Sequence, residues 1–370
     1  MTSTHPTFGV EEEFLLVDPE SGAPVPLNRA VAAQAEAHGV DLQLELTSCQ
    51  VETTSSVASS NVDLRTELAR LRRVSADAAA SSGARLLAVA LPPTVPHEFP
   101  VTDKPRYRAI AERFGMIARE QGICGCHVHV AVPNRELAVK VSNRLRPWLP
   151  MLLALSANSA VYRSADTGHA SWRSVLWARW PSAGPPPHFE SVDEYDALVK
   201  IMMDAGAMVD DGMVYWDVRP SANFPTVEVR VADVPSTVAE TVLLASLIRA
   251  LVMTALEDEA RGAPMLPLTS HALNVAYWKA ARDGLGGSAI DLLDSHALVP
   301  VAQLLEGLLD RVTPALVAVG DYDVVRTELD RVLAEGNGAM RQRQAWALRH
   351  DVSDEVEVAA AATLSGVYGV

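Results

Sequence analysis

Cysteine is scarce here: Cys49, Cys124 and Cys126 are the only three in 370 residues. So small and odd a number cannot build a disulfide scaffold, which points to a reducing, cytoplasmic setting. Positive charge is also in deficit. Against 46 Asp and Glu stand 31 Lys and Arg, a formal net charge of −15. Such a surface repels phosphate backbones and anionic lipid, so neither nucleic acid nor a membrane is an expected partner. Ahead of the acidic cluster at Glu11 there is no basic region and no apolar run, which speaks against a signal peptide. Long uncharged apolar stretches are missing too. The segment 148–162 is interrupted by Pro150, Ser156, Asn158 and Ser159, and 242–256 contains Arg249, so neither reads as a membrane span. No Walker-type glycine-rich loop and no internal repeat occur.

What remains is the composition of a folded, core-forming chain. Hydrophobic residues make up 49% and charged residues 21%, and the length allows one large domain or two fused ones. Strand and helix signals alternate in the first half. Residues 8–17 are extended and end at the turn Asp18-Pro19-Glu20-Ser21-Gly22, and 42–54 alternates in the same way. Asn61 is placed to cap a helix running through Leu64, Leu68 and Leu71 to about Gly83. Residues 86–91 read as a short buried strand, 107–121 as a helix closed by Gly122, and 124–132 as a strand. Further on, 191–205 reads as a helix, and 213–219 and 226–231 as adjacent strands joined by Pro220-Ser221-Ala222-Asn223. Ser236 opens a long apolar helix to about Glu259, and 270–350 is helical with breaks. The expected organisation is a single α+β domain over 1–370, with a sheet-bearing part to about 235 and a helical C-terminal part from about 236. A separate helical domain from 236 is the alternative.

Four clusters carry chemistry. In Gly9-Val10-Glu11-Glu12-Glu13-Phe14, strand alternation sets Glu11 and Glu13 on one face and Glu12 on the other. Two carboxylates about 7 Å apart along a strand repel unless cations lie between them. An exposed, charge-protected edge is the plain reading, although the apolar run that follows argues for a buried strand. Glu45 and Glu52, with Gln50 between them, reach one point only if the chain bends near Ser48; surface carboxylates are the alternative. Cys124-Gly125-Cys126-His127-Val128-His129 puts both imidazoles on one face, where they suit a metal or a phosphate, or else are core histidines bonded to backbone. Cys124 and Cys126 are expected to point with them, but no second cysteine pair completes a zinc site. In Val227-Glu228-Val229-Arg230-Val231, Glu228 and Arg230 share a face, either solvated or offering a metal ligand beside a phosphate-binding guanidinium; Arg219 could add a second positive group. Between these clusters lies Ser171-Trp172-Arg173-Ser174-Val175-Leu176-Trp177-Ala178-Arg179-Trp180-Pro181, whose tryptophans suit a core and whose Arg173 and Arg179 suit a carboxylate.

Taken in order, these segments resemble the type-2 glutamate–cysteine ligases, the YbdK-type carboxylate-amine ligases of the glutamine synthetase-like superfamily. The resemblance runs from about residue 7 to 235, and Gly336-Asn337-Gly338 with Arg341-Gln342-Arg343 adds a late motif. It implies a curved antiparallel sheet whose concave face is the active site. It further implies that Glu13, Glu45 and Glu52 hold one metal ion and Glu11, His127 and Glu228 another, with His129 near the nucleotide. By the same resemblance Arg230 touches the transferred phosphoryl group and Arg219 assists. The implied cofactors are ATP and Mg²⁺, with Mn²⁺ as the alternative because a histidine sits among the ligands. The implied substrates are small molecules: glutamate or a similar acid, ATP, and cysteine, another amino acid or an unrelated amine. A homo-oligomer, such as a homodimer, is expected. Two rivals stay open. A metal-dependent amidohydrolase also uses HxH on a strand, and a non-catalytic nucleotide-binding member of the fold would bind without turnover.

Overall fold

The computed structural model describes residues 5–368. Its strands are β1 (Phe8–Val17), β2 (Gln43–Leu44), β3 (Gln50–Thr54), β4 (Arg85–Leu87), β5 (Gly125–Ala131), β6 (Val161–Tyr162), β7 (Ala165–Asp166), β8 (Val218–Pro220), β9 (Thr226–Asp233), β10 (Ser288–Ile290) and β11 (Leu298–Pro300). Seven of them form one sheet in the order β2-β3-β1-β5-β9-β8, with β4 continuing the β5 side of β1. All its pairings are antiparallel. β6–β7 and β10–β11 are separate two-stranded ribbons.

β1 is the spine of the sheet. Phe14, Leu15, Leu16 and Val17 are wholly buried, each stabilising the fold by about 1.5–3 kcal/mol. This burial fixes the register, because a slip of one residue would exchange the apolar and acidic faces. On the back face, Val10, Val128, Val130, Val227 and Val229 join one core with Leu64, Leu68, Val141 and the long helix Val238–Arg261. That helix is apolar nearly all round because it is buried nearly all round. By length and apolarity it could cross a membrane, yet 89% of its apolar window lies inside the protein, the position of a central core helix. The α+β class and antiparallel sheet anticipated above are what the structure has.

Local details correct several expectations. The helix Asn61–Ser81 is capped by Ser60, whose hydroxyl accepts from the Asp63 amide; Asn61 lies inside it. The segment 107–121 splits into Pro105–Phe114 and Met116–Arg119, because Gly115 turns to φ 55° between them. The long helix starts at Val238 with Thr237 as its cap. Only Val218–Pro220 of 213–219 is strand, and 211–213 is a short 3₁₀ turn instead. Of 86–91, only the start is strand; the rest is buried irregular chain. Cys126 faces the back core with Val128 and Val130, opposite the histidines, as period-2 alternation requires, and Cys124 also lies in core.

Candidate active site

Strand pairing builds the site. Across β1 and β3, Glu13 stands opposite Glu52; across β1 and β5, Glu11 stands opposite His127; across β5 and β9, His129 stands opposite Glu228. A β-bulge sets two residues of β9, Arg230 and Val231, against the single His127. Such a bulge re-aims side chains, and here the Arg230 guanidinium reaches both Glu228 and His127 Nδ1, the latter at 3.3 Å. Arg219 on β8 grips Glu228 with two bonds, of 2.9 and 3.3 Å. The expected bend near Ser48 is present as a turn between β2 and β3, and it brings Glu45 close enough to couple electrostatically with Glu13 and Glu52.

The imidazoles and carboxylates interlock. His127 Nδ1 lies 3.0 Å from Glu11 Oε2, and its Nε2 lies 3.8 Å from Glu13 Oε1. His129 Nε2 lies 3.4 Å from Glu11 Oε1, is buried, and has no hydrogen-bond partner among the described residues, while its Nδ1 meets Thr226 Oγ1 at 3.0 Å. Glu13 accepts a 2.6 Å bond from the Gly125 amide. A Cβ at residue 125 would sit 2.6 Å from Arg173 Nη2 and 3.3 Å from His127 Nε2, so any side chain there would displace the Arg173 guanidinium.

Charge is unevenly compensated across this face. Burial pushes the Glu228 carboxyl up, but Arg230, Arg219 and the two histidines outweigh it and hold it well below the ordinary value. Glu11 is likewise held low against burial, through its bond to His127 and the nearness of His129. Burial followed by Arg230 depresses His127, so the ring is a neutral donor of lone pairs. At the other end the balance reverses. Burial and Glu13 push Glu45 up to about 7, and burial with Glu45, Glu11 and Glu13 pushes Glu52 well above the carboxylate range. Carboxylates crowded in this way call for cations, and oxygen-rich sets of this kind take hard divalent ions.

Two triads offer ligand atoms all within 4.8 Å of one another: Glu11, His129 and Glu228, and Glu11, Glu52 and His127. Of the six residues assigned to metals by resemblance, Glu11, Glu52, His127 and Glu228 converge in these triads, while Glu13 and Glu45 lie beside them without joining either, and the grouping differs from the anticipated one. Glu11 belongs to both triads, His127 goes with Glu52, and His129, expected near the nucleotide, goes with Glu228. The cause is strand register, which sets His129 rather than His127 directly across from Glu228. The unpartnered His129 Nε2 and the acid-rich donor set fit a divalent ion.

Arg173 also reaches the site. It is buried, bonded to the Val231 and Arg230 carbonyls at 3.3 and 3.4 Å, and lies 3.8 Å from Asp233. Arg179 does not reach it; its guanidinium is ion-paired with Glu120 at 2.7 Å instead. The late Gly-Asn-Gly/Gln motif is a clasp. Asn337 binds the Ala154 and Leu155 carbonyls, and Gln342 binds Asn158, whose amide donates to Asp233. Gly338 is packed so closely on Asn158 that a Cβ would clash.

Sequence reasoning missed Asp217 and Tyr215. Asp217 shares the face of Arg219 by alternation, and its backbone carbonyl accepts from the Arg230 amide at 2.7 Å. The Tyr215 ring lies 5.9 Å beneath the Arg230 guanidinium. Alternation through positions 215, 217 and 219 was the available signal for both side chains.

Comparison with known proteins identifies a family. The family described as "Glutamate-cysteine ligase family 2 (GCS2)" matches residues 7–359. A protein of Mycobacterium sp. (strain KMS) with the provisional name glutamate–cysteine ligase 2-2 is 67% identical over 98% of this chain and 100% of its own. One from Mycolicibacterium smegmatis, provisionally glutamate–cysteine ligase 2-3, is 64% identical over the same shares. Among solved structures, a Francisella tularensis glutamate–cysteine ligase in complex with AMP superposes with a TM-score of 0.71 at 14% identity, over 99% of this chain and 89% of that one. At that identity the likeness speaks for the fold.

Proposed function

Since this chain belongs to glutamate–cysteine ligase family 2, we propose that it is a cytoplasmic ATP-dependent ligase joining the carboxylate of glutamate, or a similar acid, to an amine through an acyl phosphate. The observation that carries this reading is the convergence of Glu11, Glu52, His127, His129 and Glu228 on shared ligand positions beside two buried arginines. A carboxylate resists attack by an amine because its carbon is a poor electrophile and its oxygen a poor leaving group. Phosphorylation by ATP cures both faults. Positioning and charge neutralisation are what a protein contributes to that transfer.

In this reading Glu11, His129 and Glu228 would hold one cation and Glu11, His127 and Glu52 another, with Glu13 and Glu45 beside the second. Mg²⁺, or Mn²⁺ given the imidazoles, would supply charge that neutralises the phosphate oxygens. Arg230 faces the cluster, and Glu228 holds it charged at any working pH despite burial. It stabilises the equatorial oxygens of the phosphoryl group in flight. Arg219 locks Glu228, and so keeps Glu228 aimed.

The test is phosphate release with ATP, Mg²⁺, glutamate and a panel of amines, with products identified by mass. Release that depends on the acid and stops on chelation is the expected result. Amide hydrolysis without ATP would favour the amidohydrolase alternative, and tight nucleotide binding without turnover on any amine would favour a sensor.

A further inference from the structure

Arg173, which donates to the Arg230 carbonyl, also lines a cavity of about 420 Å³, within the range of small-molecule pockets, roughly 300–1,000 Å³. Its polar end is made by Arg173 and Asp217, and its walls include Trp177, Tyr277, Trp278 and Val231. Val231 is the second residue of the bulge that aims Arg230, and Arg230 also acts electrostatically on Asp217 at the cavity's polar end. Three donors along its wall, Arg173 Nε, Trp177 Nε1 and Tyr277 Oη, are buried without a hydrogen-bond partner among the described residues. Buried donors are rarely left unpaired without a reason. The Tyr277 phenol lies against the Asp217 carboxylate but makes no hydrogen bond of good geometry to it.

We propose that this cavity is the amine-substrate pocket, that Asp217 takes the proton released as the amine attacks, and that the aromatic walls select an amine with a large apolar group over cysteine. The inference rests on the ligase reading above and deepens it. The amine reaches the pocket as its free base. Its nitrogen lone pair forms the new C–N bond, the bond from the acyl carbon to the phosphate oxygen breaks, and that electron pair leaves with phosphate. The surplus proton on nitrogen passes to the Asp217 carboxylate and from there to water.

Several features suit these roles. The groups facing Asp217 are Arg173, Tyr277 and Arg230. Burial pushes its carboxyl up to about 6, with Arg173, Tyr277 and Arg230 pulling the other way. A carboxylate so poised is ionised at neutral pH yet basic enough to accept a proton. Arg173 is free along one edge to take an anionic group on the same amine. Trp278 is 57% exposed, so it forms a rim that costs the fold little to alter.

The experiment separates acyl-phosphate formation from its capture. Wild-type protein and Asp217→Asn receive ATP, Mg²⁺ and glutamate, with either hydroxylamine or one of a graded set of amines: cysteine, leucine, phenylalanine and phenethylamine. Hydroxylamine is small and weakly basic, so once its nitrogen is bonded to the acyl carbon the surplus proton is acidic enough to pass directly to water without a protein base. The expected result is hydroxamate formation within about threefold of wild type in Asp217→Asn, with amide formation lowered at least a hundredfold. Wild type is expected to prefer the larger apolar amines, and Trp278→Ala to raise KM for them at least tenfold while moving KM for cysteine less than threefold. Equal loss of hydroxamate and amide in Asp217→Asn, or retention of both, overturns the proposal, as does a preference for cysteine that Trp278→Ala leaves unchanged. If wild-type protein makes no hydroxamate at all, the ligase reading itself fails, and that outcome is distinct from the others.

Discussion

The two faces of β1 treat adjacent glutamates in opposite ways. Glu12 points to the back, fully buried, where Arg72 meets it with bonds of 2.6 and 3.0 Å and Thr241 donates a third at 2.6 Å. Arg72 in turn donates to the Pro235, Ser236 and Thr363 carbonyls. Every charge there has a partner, so the pair ties four distant parts of the chain together and is chemically inert. Glu11 and Glu13, one residue to either side, face other carboxylates and the two imidazoles, and burial with their crowding pushes Glu45 and Glu52 up. The comparison teaches that burial of charge by itself does not mark a site. Incomplete neutralisation does.

The largest effect should come from the front. Glu228→Gln and Arg230→Ala are each expected to lower turnover at least a thousandfold, the scale of losing a charge-stabilising arginine, roughly 10³–10⁵. Circular dichroism should meanwhile show a retained fold. Near-normal activity in either variant would erase the distinction between the faces. On the back, Glu12→Ala or Arg72→Ala should destabilise by about 3–5 kcal/mol, because an unpaired charge is left buried. Denaturant titration checks this, and the folded fraction should keep its turnover. An activity loss without a stability loss would put Glu12 in the site after all.

The back also has an exception that sharpens the rule. Glu355 is buried in the helix Val352–Thr363, and neither of its oxygens finds a partner among the described residues. Burial pushes its carboxyl up to about 8. A carboxyl whose folded value is raised lets the folded state hold a proton that the unfolded state has lost. Stability therefore falls as pH rises from about 4.5 through about 8. Between pH 6 and 9 the expected loss is on the order of 3 kcal/mol, and Glu355→Gln should flatten it. A pH series of melting curves checks this, and an unchanged slope would mean that the carboxyl is neutralised some other way. The smallest effect belongs to Arg179→Ala, which should change kcat/KM less than twofold, since that guanidinium serves the partly exposed Glu120 and the Leu176 carbonyl rather than the cluster.

Much of this was legible beforehand. Period-2 alternation is local, so the sharing of faces by Glu11 and Glu13, by His127 and His129, and by Glu228 and Arg230 follows from spacing alone. The same rule should have sent Cys124 and Cys126 away from the histidines, and the structure does so. The break at Gly115 and the cap at Ser60 turn on single backbone angles and single hydrogen bonds, which composition blurs.

By itself, then, the sequence determined which residue types line each strand face, that the chain builds a core around buried strands, and which carboxylates and imidazoles were available for chemistry. Tertiary structure alone decided who stands opposite whom. Register across β5 and β9, shifted by one bulge, paired Glu228 with His129, and the approach of Tyr277 and Arg173 turned Asp217 from an unremarked neighbour of Arg219 into the polar end of a cavity. Alternation is fixed by covalent geometry within a strand, whereas register and cavities arise from contacts between residues far apart in the chain, which no local pattern encodes.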